Sequence, residues 1–182
     1  MTPFNRRAVL TAAGTVAALG VARKPLAAGS MQDLAALRPA RTDATVPEIH
    51  FAAADGAART LADYAGHGVV LNLWATWCPP CVAEMPALDR LARALRAERV
   101  AVLALSSDRG GAAVVERFYK ERGIRDLAVL LDPRGEASRA LGARGLPTTL
   151  VIDRKGRERV RVEGPADWAA PASVGVIRDL VG

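Results

Sequence analysis

The feature that most constrains this chain is the run Val69-Val-Leu-Asn-Leu-Trp-Ala-Thr-Trp-Cys-Pro-Pro-Cys81, an apolar stretch that leads into the chain's two cysteines. Its first residues read as a buried strand and the segment after Pro80 as a helix, so Cys78 stands where strand gives way to helix. Helix N-termini carry unsatisfied backbone N–H groups and a partial positive charge, both of which favour an anion. A thiol placed there ionises below its free pKa of roughly 8.5, and the thiolate is the nucleophile. Cys81 follows by three residues, within reach for a disulfide once one helical turn has formed. Pro79 and Pro80 stiffen the turn, and neither has an N–H to donate. The pattern is that of a redox pair with one activated and one resolving thiol. A structural disulfide here would close too small a loop to remove much unfolded-state entropy. A structural zinc site needs about four ligands. Beyond the cysteines the chain offers His50 and His67, which have no metal-like spacing, and Met31 and Met85 give no metal signal.

The length of 182 residues predicts one domain with an N-terminal extension. The formal charge is +6, but Arg6, Arg7, Arg23 and Lys24 fall in the first 28 residues with no acid among them, which leaves +2 for the rest. The remaining arginines are interleaved with acids and no basic tract carries stacking aromatics, which argues against a nucleic-acid partner. Residues 1–28 have the three-part shape of an export signal: paired arginines, the small apolar run Ala8–Ala22, and Pro25-Leu-Ala-Ala28 as a cleavage region. The apolar run is shorter than the roughly 20 residues that a spanning helix requires. The segment resembles a twin-arginine signal, with Asn5 where Ser or Thr is usual; the alternative is an uncleaved interfacial anchor. Both readings place the domain outside the cytoplasm, in the periplasm. There an exposed thiol pair becomes a disulfide unless electrons are supplied.

From Gly29 to Val46 there is no sustained periodicity beyond one helical turn expected over Asp33–Arg38, so 29–46 is expected to be a linker or loose lead-in to a domain over 47–182. Ile49–Ala52 and Arg59–Leu61 read as a hairpin turned at Asp55-Gly56. One helical turn follows at Leu61–Tyr64, and His67, between two glycines, reads as a solvent-exposed loop residue. Val69–Trp74 is the central strand. The helix from Pro80 to about Ala97 sets Cys81, Met85, Leu88, Leu91 or Ala92, and Leu95 on one face, with a kink expected at Pro86. Further strands are expected at Val100–Ser106, Ala128–Leu131 and Thr149–Ile152. Further helices are expected at Gly111–Arg122, Glu136–Leu141 and Ala170–Leu180, and Arg157–Val162 returns antiparallel after the turn Asp153–Gly156. This alternation predicts an α/β fold, a central mixed sheet with helices on both faces.

Trp74-Ala-Thr-Trp77-Cys-Pro-Pro-Cys81, then Glu84-Met-Pro86, and Gly145-Leu-Pro147-Thr-Thr further on, resemble the thioredoxin superfamily, and within it the TlpA/ResA branch of exported thiol:disulfide oxidoreductases. The likeness covers Val46 to Leu180, including Leu130-Leu-Asp-Pro133 and Asp153-Arg-Lys-Gly156. It implies a thioredoxin-like fold with an N-terminal hairpin and an extra strand–helix insert between Cys78 and Pro147. It implies that Cys78 attacks and Cys81, buried, resolves, with no cofactor beyond this redox-active disulfide. It also implies a cis peptide bond before Pro147, with Leu146 offering backbone groups to an extended substrate. Where many thioredoxins bury an aspartate on the central strand, this chain has Asn72, which cannot take a proton. Glu84, three residues after Cys81 on the same side of the helix, is the replacement expected to keep Cys81 protonated and to exchange its proton. The plainer reading of Glu84 is a solvated residue paired with an arginine. Trp77 is expected to form an exposed apolar wall for docking, Trp74 to be core, and Trp168, Tyr64 and Tyr119 to pack.

The function these features imply is dithiol–disulfide exchange, reducing disulfides in exported proteins such as apocytochrome c or copper-site proteins, with a membrane-embedded thiol donor to reset the pair. A disulfide-forming oxidant would run the same chemistry backwards. A peroxide reductase would need a peroxidatic cysteine pocket. A copper carrier on this fold spaces its cysteines by three residues and adds a later histidine, whereas this chain has none after His67.

Overall fold

The computed structural model describes residues 42–182, so the expected signal over 1–28 and the lead-in as far as residue 41 lie outside the described residues. A hairpin of β1 (His50–Ala53) and β2 (Ala58–Thr60) comes first, then a 3-10 turn over Leu61–Tyr64. The central strand β3 (Gly68–Trp74) feeds α1 (Pro79–Leu95), followed by β4 (Val100–Ser106) and α2 (Ala112–Arg122). The insert is β5 (Leu130–Leu131) with α3 (Glu136–Ala140), and the chain closes with β6 (Thr148–Ile152), β7 (Glu158–Glu163) and α4 (Pro171–Val181). The seven strands form one mixed sheet in the order β2-β1-β5-β4-β3-β6-β7. β3 pairs parallel with β4 and antiparallel with β6, so Asn72 lies opposite Ala104 on one side and Thr149 on the other.

All seven residues of β3 are buried, because a strand covered on both faces has no solvent side. Side chains alternate between those faces. Val70 and Trp74 join Met85, Leu88, Leu91 and Ile177 in the core under α1 and α4. Val69, Leu71 and Leu73 join Ile49, Leu105 and Leu150 in the second core. Asn72 therefore projects on the α1 side, and it is the polar member of an otherwise apolar row.

Three expectations need correction. His67 is half-buried in its loop, and its Nδ1 is buried with no hydrogen-bond partner. The strand expected over Ala128–Leu131 keeps only Leu130 and Leu131, which pair with Leu105 and Ser106 of β4 and with Ala53 and Ala52 of β1. The lead-in is not loose where it is described: Thr42 N–H donates to Arg159 O at 3.0 Å, Glu158 N–H to Ala44 O at 2.8 Å, and Val46 N–H to Gly156 O at 3.2 Å. These bonds satisfy backbone groups on the outer edge of β7 that would otherwise be left open. Among the described residues no helix is long and apolar enough to cross a membrane.

Candidate active site

Cys78 is the N-cap residue of α1, held there because the extended backbone of β3 ends one turn earlier and prolines occupy the first two helical positions. Proline suits those positions, where no intrahelical N–H bond is required. Cys78 and Cys81 form a disulfide with their Cα atoms 5.3 Å apart, and the Cys81 N–H points at Cys78 Sγ at 3.4 Å. Cys78 keeps 5% of its surface exposed and Cys81 none, while Pro79 and Pro80 are exposed. A partner arriving from solvent therefore meets Cys78 first.

Trp77 is 66% exposed, and the loop that carries it is fastened from below. Buried Asp108 accepts from Thr76 N–H at 2.9 Å, from Thr76 Oγ1 at 2.7 Å and from Ser106 Oγ at 2.7 Å. The Leu146–Pro147 peptide is cis. Pro147 is buried and half-buried Leu146 packs against the core that holds both cysteines. The Pro147 carbonyl accepts from Gly164 N–H at 2.9 Å, and Thr148 Oγ1 donates to Gly145 O at 2.7 Å, so this loop is fixed at both ends.

Glu84 is fully buried and has no arginine partner among the described residues. Asn72 Nδ2 donates to its Oε1 at 2.8 Å and also to Thr149 Oγ1 at 2.8 Å. Its Oε2 accepts from Trp168 Nε1 at 2.7 Å and Ala166 N–H at 3.1 Å. Burial pushes the Glu84 carboxyl up to about 7, against the opposing pull of the Trp168, Ala166 and Asn72 hydrogen bonds. The group therefore exchanges a proton near neutrality, which suits a general acid–base role.

Sequence reasoning missed two contributors. Trp168 packs as expected, with none of its surface exposed, but it also donates to Glu84 from 84 positions away, which no local pattern reveals. Asp108 had a signal, since it lies just past the carboxyl end of a parallel strand, where sites in such sheets gather. Among the described residues no three His, Cys, Asp or Glu side chains come together as a metal site.

Comparison with known proteins agrees with this geometry. Residues 41–173 match the Redoxin family. The thiol-disulfide oxidoreductase ResA of Geobacillus thermodenitrificans is 32% identical over 120 residues, which are 66% of this chain and 68% of that protein. The Chlorobium tepidum protein assigned as thiol:disulfide interchange protein DsbE superposes with a TM-score of 0.64 at 25% identity, over 79% of this chain and 96% of that one. The exposed lipoprotein thioredoxin Etrx1 of Streptococcus pneumoniae gives 0.59 at 27% identity, over 74% and 100%. With its Cys78–Cys81 pair at a helix N-terminus on a thioredoxin-like sheet, the chain belongs to the Redoxin family and is a ResA-like thiol-disulfide oxidoreductase.

Proposed function

We propose that this protein reduces disulfides in exported proteins, apocytochrome c or copper-site proteins being the target classes, and that it works in the periplasm. The observation that supports the direction is that the helix start which favours the Cys78 thiolate gives its sulfur one N–H hydrogen bond, from Cys81, among the described residues. Pro79 and Pro80 remove the N–H donors of the first two helical positions, leaving the Cys81 N–H aimed at Cys78 Sγ. Glu84, one turn beyond Cys81, adds negative charge when ionised. A reduced form that gains little from its thiolate gives up electrons readily, whereas a strong oxidant such as DsbA owes its potential to a stabilised reduced form.

In the proposed exchange the Cys78 thiolate attacks one sulfur of the substrate disulfide. That bond breaks, a mixed disulfide forms, and the substrate keeps one thiolate. Cys81 loses its proton to the Glu84 carboxylate and attacks Cys78 Sγ. The Cys78–Cys81 bond forms, and the second substrate thiolate leaves, so two electrons pass to the substrate. A membrane-embedded dithiol donor then reduces the pair again. Trp77, Leu146 and Pro147 frame the approach to Cys78, and Pro79 and Pro80 shape its turn. Residues 1–28 serve as a twin-arginine-like signal, 29–46 as the lead-in and 47–182 as the catalytic domain. The exposed-lipoprotein description of the Streptococcus relative supports a place outside the cytoplasm.

The test is the reduction potential of the Cys78–Cys81 pair, by equilibration with glutathione or dithiothreitol. A reductant gives a value near or below thioredoxin's roughly −270 mV. A value near DsbA's roughly −120 mV would overturn the direction and make the protein an oxidant.

A further inference from the structure

A groove of about 590 Å³ runs from Trp77, the residue before Cys78, between the loop after β4 and the loop before α3. Trp77 is, among the described residues, the one large apolar side chain left exposed. The groove's other walls carry Arg109 and Arg134, both exposed. Arg139 stands behind Arg134, donating from Nη1 to the Arg134 carbonyl at 2.7 Å.

The acids nearby are mostly occupied. Asp108 is buried, with its oxygens taken by Thr76 and Ser106. Asp132 is buried and accepts the N–H groups of Glu136, Ala137 and Ser138 at the start of α3. Glu136 pairs with Arg134 at 2.8 Å and is half exposed, so it offsets one guanidinium. Arg109 has no ion pair among the described residues. The surface offered to a partner next to Cys78 is thus an aromatic face bordered by guanidinium donors. Carboxylates meet such donors with charge-assisted, often bidentate, hydrogen bonds.

We infer that the groove bounded by Trp77, Arg109 and Arg134 seats substrate segments that carry Asp or Glu beside their reactive disulfide. This rests on the oxidoreductase reading above and names the substrate chemistry that the same site prefers. Trp77 supplies an apolar contact for the residue next to the attacked sulfur. Arg109 and Arg134 supply charge complementarity, which acts mainly on the rate of encounter and on the choice of partner.

The full chain, reduced with dithiothreitol and desalted, is mixed with three disulfide-bonded peptides that differ only in acidic, neutral or basic flanking residues. Each rate is divided by that peptide's own rate with 2-mercaptoethanol, which removes the effect of its charges on sulfur reactivity. The acidic peptide is expected to react about tenfold faster than the basic one at low salt, with the gap closing as salt screens the charges. In the Arg109→Gln, Arg134→Gln double variant the acidic-to-basic ratio should fall to within about twofold, the scale left by exposed charges elsewhere. The ratio does not depend on the folded fraction of the variant. A wild-type ratio near unity overturns the proposal, and so does a high ratio that survives both substitutions. The neutral reagent 2-hydroxyethyl disulfide separates the two readings. If the wild type reduces it without discriminating among the peptides, the groove assignment alone falls. If the reagent is not reduced, the oxidoreductase reading falls with it.

Discussion

Glu84 is a carboxyl group placed where ionisation works against folding. In the unfolded chain it loses its proton near 4.5, whereas in the folded protein burial holds the proton to about 7. Between those values the folded state binds more protons than the unfolded one, so this group's contribution to stability falls as pH rises. The shift amounts to about 3 kcal/mol across the window. Urea titrations of oxidised wild-type and Glu84→Gln proteins at a series of pH values check this. The wild type is expected to lose about 3 kcal/mol relative to the variant between pH 4 and pH 8. A constant difference over that range would show that Glu84 ionises normally. The residue's place on the Cys81 side of the helix is legible in the three-residue spacing. Its Trp168 and Ala166 donors are not, because they arrive from 84 and 82 positions away.

At the scale of elements, α1 was readable because Cys81, Met85, Leu88, Leu91 and Leu95 recur at helical spacing, and all five are buried. The same helix carries Asp89, which periodicity also directs inward and which needs a reason to be there. Its Oδ1 accepts the N–H groups of Arg125, Asp126 and Leu127 at 2.9, 2.6 and 3.2 Å, tying α1 to the chain that leaves α2. Asp89→Ala would strand three backbone donors in a partly buried loop and is expected to cost about 2–3 kcal/mol. Chemical denaturation measures the loss, and hydrogen exchange should show it concentrated in residues 124–131. Asp89→Asn keeps an acceptor in place and should recover much of the stability. The shortness of β5 was not readable, since strand length depends on a neighbour's extent and β1, its antiparallel neighbour, stops at Ala53 opposite Leu130.

For the whole molecule, α4, the last element, packs against the beginning of the central strand. A Cβ added at Gly68 would lie 2.5 Å from Val181 Cβ and 2.7 Å from its Cγ1, so the strand needs glycine there to let the helix seat. Gly68→Ala is expected to lower stability by about 1–3 kcal/mol through overpacking. Urea denaturation tests it, and a stability equal to wild type would show that α4 can shift without loss. The polypeptide's local patterns by themselves determined the run of strands and helices, the cysteine pair at a helix start, and the mixed sheet that such alternation must form. Those follow from spacing and backbone chemistry within a few residues. Only the tertiary structure decided that Trp168 donates to Glu84, that Asp108 fastens the Trp77 loop, and that Arg109 and Arg134 share a groove with Trp77. The reason is physical: burial of apolar side chains is non-directional and leaves many packings open. Hydrogen bonds between distant polar groups form only once one packing has brought donor and acceptor within about 3 Å.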